Sequence, residues 1–92
     1  MHYVLQHIAR AATGLVFGKV AAALRHDGLF LVSFREGDNE IWEGSSHDYW
    51  VVERPWATVE TELRSAGLSP IWSQATTDTD GAWRIVIARR TA

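Results

Sequence analysis

A six-residue run that is apolar almost throughout constrains the fold more than any other feature of the chain. Residues 29–34 read Leu-Phe-Leu-Val-Ser-Phe and lie between Gly28 and the turn-forming segment Glu36-Gly37-Asp38-Asn39. A strand that is apolar on both of its faces is typically central and parallel in an α/β sheet. The run from Leu29 to Phe34 therefore predicts the central strand of the domain.

Two helices are predicted from apolar residues at helical spacing. The first extends from about Gly14 to His26, with Thr13 as its N-cap and Gly28 as the stop after its last turn. The second is opened by Pro55. The apolar stripes consist of Val16, Val20 and Leu24 in the first helix and of Trp56, Val59, Leu63 and Ala66 in the second, which Gly67 ends.

The remaining segments predict a long loop and a C-terminal hairpin. The polar stretch from Glu36 to Asp48 is interpreted as a loop, and Tyr49 to Val52 as a short extended piece. Leu68 to Ala75 and Ala82 to Arg89 predict two antiparallel strands, which are joined by polar residues around Asp78-Thr79-Asp80-Gly81. Trp56, Trp72 and Trp83 lie within these regular elements, so we expect them in the core. Residues 1–92 are predicted to form one domain.

Charge and composition exclude several classes of function. The formal net charge is -2, and the nine Lys and Arg residues are scattered, so we expect no nucleic-acid partner. The absence of cysteine excludes a disulfide framework and a thiolate metal site. We find neither a signal-peptide pattern nor an apolar segment long enough to span a membrane, and therefore expect a cytoplasmic protein.

Several short motifs occur in an informative order. Leu24-Arg25-His26-Asp27-Gly28 precedes the central strand, and Arg35-Glu36-Gly37-Asp38 follows it. Glu62-Leu63-Arg64-Ser65-Ala66-Gly67-Leu68 ends the second helix, Trp83 to Arg89 form the final strand, and Val4-Leu5-Gln6-His7-Ile8 stands near the start. In this order the motifs resemble the C-terminal part of a class I, Rossmann-like methyltransferase that uses S-adenosylmethionine.

The resemblance implies a partial Rossmann-like methyltransferase fold. In that family the fifth strand of a seven-stranded sheet is followed by a helix and then by an antiparallel hairpin. The implied α/β fragment has two main helices and about three strands, with Leu29 to Phe34 as the fifth strand. The family's glycine-rich cofactor loop is expected upstream of Met1, and no G-x-G segment occurs in these residues. We therefore expect S-adenosyl-L-methionine to bind only if the missing half is supplied, and no cofactor to bind the isolated chain.

Four residues are candidates for substrate binding. By the resemblance, His7 lies near the methionine end of the cofactor and the substrate entrance. Trp42, Tyr49 and Trp50 surround the predicted loop and could wall an acceptor pocket, because aromatic faces suit apolar or cationic ligands. The alternative is that these aromatic residues cover the sheet in a domain with a small core. No catalytic, cofactor-binding or metal-ligating residue is predicted.

Two functions from different classes remain open. The chain is expected to be a fragment or subunit of a methyltransferase that is inactive alone, or else a non-catalytic interaction or oligomerisation module derived from one. We expect its partner to be a protein that supplies the missing N-terminal half, or a second copy. The second copy would pair through the edge of Leu29 to Phe34, which the resemblance leaves without one neighbour.

Overall fold

The computed structural model describes residues 2–5, 9–38, 40–43, 49–79 and 81–91. Two α-helices are described, α1 at Thr13–Ala23 and α2 at Trp56–Ser65, and a 3-10 helix at Arg10–Ala12 precedes α1. The described strands are β1 His2–Val4, β2 Leu29–Glu36, β3 Glu40–Glu43, β4 Tyr49–Arg54, β5 Leu68–Asp78 and β6 Gly81–Arg90. The architecture is α/β, as predicted, but it has more than the expected three strands.

The strand β2 occupies the centre of a mixed sheet. The main path of the sheet has the order β3-β4-β2-β6-β5, and β1 pairs with β2 outside this path. β2 is parallel to β1 and β4, and it is antiparallel to β6. The central position predicted for Leu29 to Phe34 is confirmed.

The expectation of an open edge on β2 is wrong. β6 pairs with one side of β2 from Leu29 to Arg35. On the other side, β1 pairs with Leu31 to Ser33, and the end of β4 pairs with Arg35 and Glu36. Because the first residues of the chain form a strand, the neighbour that was expected to be missing is present in short form. A homodimer through this edge stays a prediction, with much less free backbone to support it.

The end of α1 differs from the prediction. The helix stops at Ala23 instead of His26, and Leu24 is already extended. The N–H of Asp27 donates to the Arg90 carbonyl (3.1 Å), and the N–H of Arg90 donates to the Gly28 carbonyl (2.9 Å). These bonds attach the turn to the end of β6, so the chain leaves the helix early. Asp27, with a φ of 62°, takes the left-handed conformation in this turn.

The start of α1 differs from the prediction, whereas the start and the end of α2 agree with it. Thr13 is the first residue of α1 instead of its N-cap, which is Ala12. α2 follows Pro55 as predicted, and Val59 and Leu63 are buried on its inner face. After α2, Gly67 has a φ of 82°, in the left-handed region where glycine is least strained. The predicted boundary at Gly67 is confirmed.

The hydrophobic core lies between the two helices and one face of the sheet. Side chains alternate along a strand, so Phe30, Val32 and Phe34 lie on the same face of β2, and all three are fully buried. They belong to a cluster that includes Phe17 and Val20 of α1, Val59 and Leu63 of α2, and Leu68, Val86 and Ala88 of the hairpin. The ring of Phe17 meets that of Phe30 edge to face, at 6.0 Å between centroids.

The opposite face of the sheet carries several exposed apolar side chains. We call it the open face and define it by four side chains, Val4, Leu29, Trp72 and Ile85. Their exposed fractions are 45%, 50%, 46% and 37%. The core position predicted for Trp72 is therefore wrong, because this residue lies on the face that the helices do not cover. Trp56 packs against the core as predicted, and Trp83 is half-buried.

The two hairpins show where the sequence prediction succeeded and where it failed. β5 and β6 form the predicted C-terminal hairpin, with slightly longer strands and a bulge between Pro70 and Trp72. β3 lies inside the segment that was predicted to be a loop, and it pairs antiparallel with β4. The polar composition of residues 36–48 favoured a loop, so this edge strand was not predicted. Neither described helix is long and apolar enough to cross a membrane.

We predict opposite effects of adding one methyl group at two glycines. A Cβ at Gly28 would lie 2.8 Å from the Arg25 carbonyl oxygen, whereas a Cβ at Gly18 meets nothing within 4 Å. Gly28→Ala should lower the free energy of unfolding by about 1–3 kcal/mol, because the added group has no room. Gly18→Ala should raise it by about 0.5–1 kcal/mol, because alanine favours the exposed helix. Urea denaturation measures both, and equal effects would show that the turn at Gly28 is not crowded.

Candidate functional site

The three parallel strands end at the same edge of the sheet. β1 ends at Val4, beside Ser33, and β4 ends at Arg54, beside Glu36 at the end of β2. In open α/β sheets, ligands bind in the crevice outside the carboxyl ends of the strands. We call this region the carboxyl edge and define it by Leu5, Gly37 and Arg54, which stand at or directly after the three strand ends.

A buried arginine holds the carboxyl edge together. Arg54 is only 1% exposed, although it carries a permanent charge. Its Nη1 donates to the carbonyls of Leu5 (2.9 Å) and Val52 (3.4 Å), and its Nε donates to Oγ1 of Thr13 (3.2 Å). A single guanidinium therefore joins the end of β1, the first turn of α1 and the end of β4.

A second arginine braces the same edge from outside. Both Nε and Nη2 of Arg10 donate to the Glu53 carbonyl, at 3.2 and 2.9 Å. Nη2 also lies 3.5 Å from a carboxylate oxygen of Asp38, directly after β2. The 3-10 helix before α1 is thereby fixed to both strand ends. With the bond from Arg54 to Leu5, the bonds of Arg10 hold the chain on both sides of residues 6–8.

The turn after β2 leaves little room around Glu53. The N–H of Gly37 donates to the Arg54 carbonyl (3.2 Å). A Cβ at Gly37 would collide with the Glu53 carboxylate, so a residue without a side chain is needed there. The same carboxylate lies 3.7 Å from the guanidinium of Arg35, which is 5% exposed. The Glu53 carboxylate is therefore paired with an opposite charge.

A third cluster lies beside the edge, on the helix face of the sheet. Arg84 donates from Nε to Glu36 (2.9 Å) and from Nη1 to Oγ of Ser73 (3.1 Å). Its guanidinium also stands 5.0 Å from the ring centroid of Trp56. The Trp56 ring stacks on Phe34 at 6.3 Å. This arrangement fixes the start of α2 against the end of β2.

The four predicted binding residues lie where the structure describes little. His7 and the residues around it, 6–8, are outside the described residues. Trp42, Tyr49 and Trp50 are described by their backbone alone, which places Trp42 opposite Trp50 and Glu43 opposite Tyr49 in the β3–β4 hairpin. The backbone brings these three residues together in one hairpin, at the end away from the carboxyl edge, because β4 begins at Tyr49 and pairs with the end of β2 only at Glu53 and Arg54. Their role in substrate binding stays a prediction.

Sequence reasoning missed the arginines that organise this edge. Arg35 directly follows the apolar run of β2, and Arg54 directly precedes Pro55. A charged residue at the junction of a strand and a turn was an available signal, but it is more often solvated than buried. Among the described residues, no three His, Asp or Glu side chains gather closely enough to hold a metal ion.

One carboxyl group near this network has a shifted pKa. Burial raises the pKa of Glu62, in α2, above its ordinary value, and the positive charge of Arg54 offsets part of this effect. The folded protein therefore holds a proton on Glu62 to a higher pH than the unfolded chain does.

Comparison with known proteins gives the fold. No protein-family model matches the sequence, and no curated protein matches it either. The structure is similar to the 1,6-didemethyltoxoflavin-N1-methyltransferase of Burkholderia thailandensis, which was solved with S-adenosylhomocysteine and 1,6-didemethyltoxoflavin bound (TM-score 0.75, 23% identity). It is also similar to an S-adenosylmethionine-dependent methyltransferase of Methanosarcina mazei (TM-score 0.75, 9% identity). A third similar structure, from Bordetella parapertussis, is a candidate exported protein (TM-score 0.67, 17% identity).

These similarities cover this chain almost completely but the other chains only in part. The alignments span 99%, 98% and 99% of this chain, against 44%, 58% and 38% of the Burkholderia, Methanosarcina and Bordetella chains. The chain thus spans about half the length of the structures that it matches. Its fold is part of the Rossmann-like methyltransferase fold, as the sequence predicted.

We predict that Arg54→Met destabilises the protein by about 1–3 kcal/mol, because the buried acceptors on Leu5 and Thr13 lose their donor. Arg64→Met is the matched control, since Arg64 is exposed and forms an i,i+4 pair with Glu60 in α2. This control should change the free energy of unfolding by no more than about 0.5 kcal/mol. Urea denaturation of the two variants side by side checks the prediction, and equal losses would contradict it.

We predict that Glu62→Gln alters the pH dependence of stability. A carboxyl group whose pKa is higher in the folded state stabilises the fold at low pH, and this contribution is lost as the pH rises through the folded pKa. In wild type that loss begins near the unfolded value of about 4.3. Glutamine cannot ionise, so the variant should gain stability relative to wild type across this window and then keep the gain at neutral pH. Thermal unfolding from pH 3.5 to 7 measures the difference, and parallel curves would refute it.

Proposed function

We propose that this chain forms the C-terminal, acceptor-side part of an S-adenosylmethionine-dependent methyltransferase, whose cofactor-binding part lies on polypeptide outside these 92 residues. The observation that carries the proposal is the alignment of 99% of the chain with 44% of a methyltransferase that binds S-adenosylhomocysteine. The similarity at 98% coverage to a second methyltransferase supports it.

The order of strands supports a C-terminal placement. β2 lies between β1, which is parallel to it, and β6, which is antiparallel to it. In the family that the sequence resembles, the fifth strand likewise lies between the fourth strand and the C-terminal one. β5 and β6 then correspond to the final hairpin. In this assignment, β1 is the remaining end of the fourth strand.

The described residues do not fit a complete cofactor site. No G-x-G segment is present to bring backbone amides close to the cofactor. At the carboxyl edge, the Leu5 carbonyl accepts from Arg54, and the Gly37 amide donates to the Arg54 carbonyl. These backbone groups serve the fold itself. We therefore assign cofactor binding to the missing part, and this chain binds S-adenosylmethionine only as a component of the completed protein.

The contribution of this chain is to position the methyl acceptor. Methyl transfer depends mainly on in-line placement of the acceptor and the sulfonium, and needs no nucleophile from the protein. In the proposal, His7, Trp42, Tyr49 and Trp50 line the acceptor side. Arg54 contributes on the β1 side, because it hydrogen-bonds to the carbonyl of Leu5, directly before residues 6–8.

The second candidate function is a non-catalytic module for interaction or oligomerisation. The observation that favours it is the lack of a glycine-rich cofactor motif in a chain that otherwise builds a well-formed core. In this case the partner is a second copy or another protein, and no acceptor binds at the carboxyl edge. A cytoplasmic location is part of both proposals.

Calorimetric titration with S-adenosylhomocysteine separates these functions. We predict no saturable binding by the 92-residue chain at micromolar ligand, because the cofactor-binding amides are not encoded in it. Addition of the polypeptide that completes the fold, encoded upstream of or beside this chain, should create one site per complex. Saturable binding by the chain alone would contradict the assignment of the cofactor site to the missing part. A completed complex without binding would favour the non-catalytic module.

A further inference from the structure

The main path of the sheet ends at two different kinds of edge strand. β3, at one end, has four residues, and it begins and ends with glutamate. If two copies of β3 paired antiparallel about a twofold axis, Glu40 of each copy would stand opposite Glu43 of the other. Like charges directly opposite each other are destabilising. β5, at the other end of the path, has eleven residues, of which Asp78 alone is charged. Of these two edges, β5 is the one whose sequence permits pairing with its own copy.

The hydrogen bonds at the end of β6 show which of its backbone groups face β5. The N–H of Thr91 donates to the Gly67 carbonyl (2.9 Å), directly before β5. The N–H of Arg90 donates to the Gly28 carbonyl (2.9 Å), directly before β2. Backbone groups alternate in direction along a strand, so the odd-numbered residues of β6 bond to β5. In the register, these stand opposite Trp72, Gln74, Thr76 and Asp78.

The residues between these positions direct their backbone groups away from the sheet. They are Ser73, Ala75 and Thr77, and no described strand lies on that side of β5. Pro70 stands opposite Ala88, an even-numbered residue, so it also belongs to the outward-facing set. Proline has no N–H to donate, and within sheets it occupies such edge positions. The outer edge of β5 is therefore open between the bulge after Pro70 and the hairpin turn.

We infer that the β5 edge is a homodimer interface, in which residues 72–78 pair antiparallel with the same residues of a second copy. The inference does not depend on the proposed function. This segment is free of bulges in its register with β6, and Ala75 is its midpoint. A twofold axis at Ala75 places Ser73 of each copy opposite Thr77 of the other. Because these residues face outward, each opposite pair exchanges two backbone hydrogen bonds.

The side chains along the segment match their own copy in this register. Gln74 of each copy stands opposite Thr76 of the other, and both side chains are exposed in the single chain. Polar side chains in such cross-strand pairs can hydrogen-bond to each other. Ala75 meets its own copy on the axis, where a small residue is needed. Asp78 stands opposite Trp72, so no like charges meet. A twofold interface requires self-complementarity of this kind, which identifies the occupant as a second copy.

Disulfide crosslinking tests the register, because residues 1–92 contain no cysteine. In a hydrogen-bonded antiparallel pair the Cα atoms lie about 5.5 Å apart, within the range of about 4.4–6.8 Å that a disulfide spans. Ala75→Cys in the full gene product should therefore form a dimer on mild oxidation, with residue 75 joined to residue 75 by mass spectrometry. Ala22→Cys is the matched control, because Ala22 is exposed on α1. It should crosslink at least about tenfold more slowly. Equal rates would overturn the inference.

A second substitution at the same position tests whether this edge holds the dimer. Ala75→Pro removes an outward-facing N–H and leaves the bonds to β6 in place, so it should convert the dimer into a folded monomer. Sedimentation equilibrium at tens of micromolar measures the mass, and circular dichroism measures the fold. If the proline variant does not fold, Ala75→Lys replaces it, since two lysines would then stand opposite each other at the axis.

Two outcomes of the sedimentation experiment would overturn the inference. The first is a wild-type protein that is monomeric at these concentrations. The second is a folded Ala75 variant that remains a dimer, because its interface would then lie elsewhere, such as at β2 or on the open face. A wild-type dimer that the folded variant loses is the expected result.

Discussion

The pairing of β2 on both sides is the constraint on which the rest of the structure depends. β6 lies along one side of it, and β1 and β4 share the other. The direction and the register of each neighbouring strand are thereby set by its pairing with β2. The helices then pack on the face that carries Phe30, Val32 and Phe34. Since β1 and β4 both run parallel to β2, the carboxyl ends of the three strands lie at one edge.

Two guanidinium groups hold the carboxyl edge together by hydrogen bonds. Arg54 is buried and compensated by acceptors from three separate elements, and Arg10 reaches the neighbouring carbonyl of Glu53. Taking such a charge out of water is costly unless hydrogen bonds replace the lost hydration. The bonds to Leu5, Thr13 and Val52 replace part of it. This edge is thus ordered by hydrogen bonds from buried charges, whereas the core is ordered by apolar contacts.

The sequence predicted those features that depend on local periodicity. The central strand, the second helix and the final hairpin follow from apolar spacing and from Gly67, Pro55 and the turn near Gly81, and the structure contains them. Local periodicity does not predict features that depend on contacts between residues far apart in the sequence. α1 ends early because its turn bonds to Arg90, and β3 exists because β4 offers it a partner. Trp72 is exposed because it lies on the sheet face that the helices do not cover. The residue pattern of a single strand does not predict which face the helices will cover.

The position of β6 has a consequence for how the chain folds as it is synthesised. β6 comes after β5 in the sequence but lies between β2 and β5 in the sheet. One side of β2 therefore stays unpaired until Gly81–Arg90 has left the ribosome, about fifty residues later. Long-range pairing of this kind is slow because the entropy cost of closing the loop comes before the stabilising contacts form. During that interval one side of an apolar strand has unpaired backbone groups, which are a template for pairing with another chain.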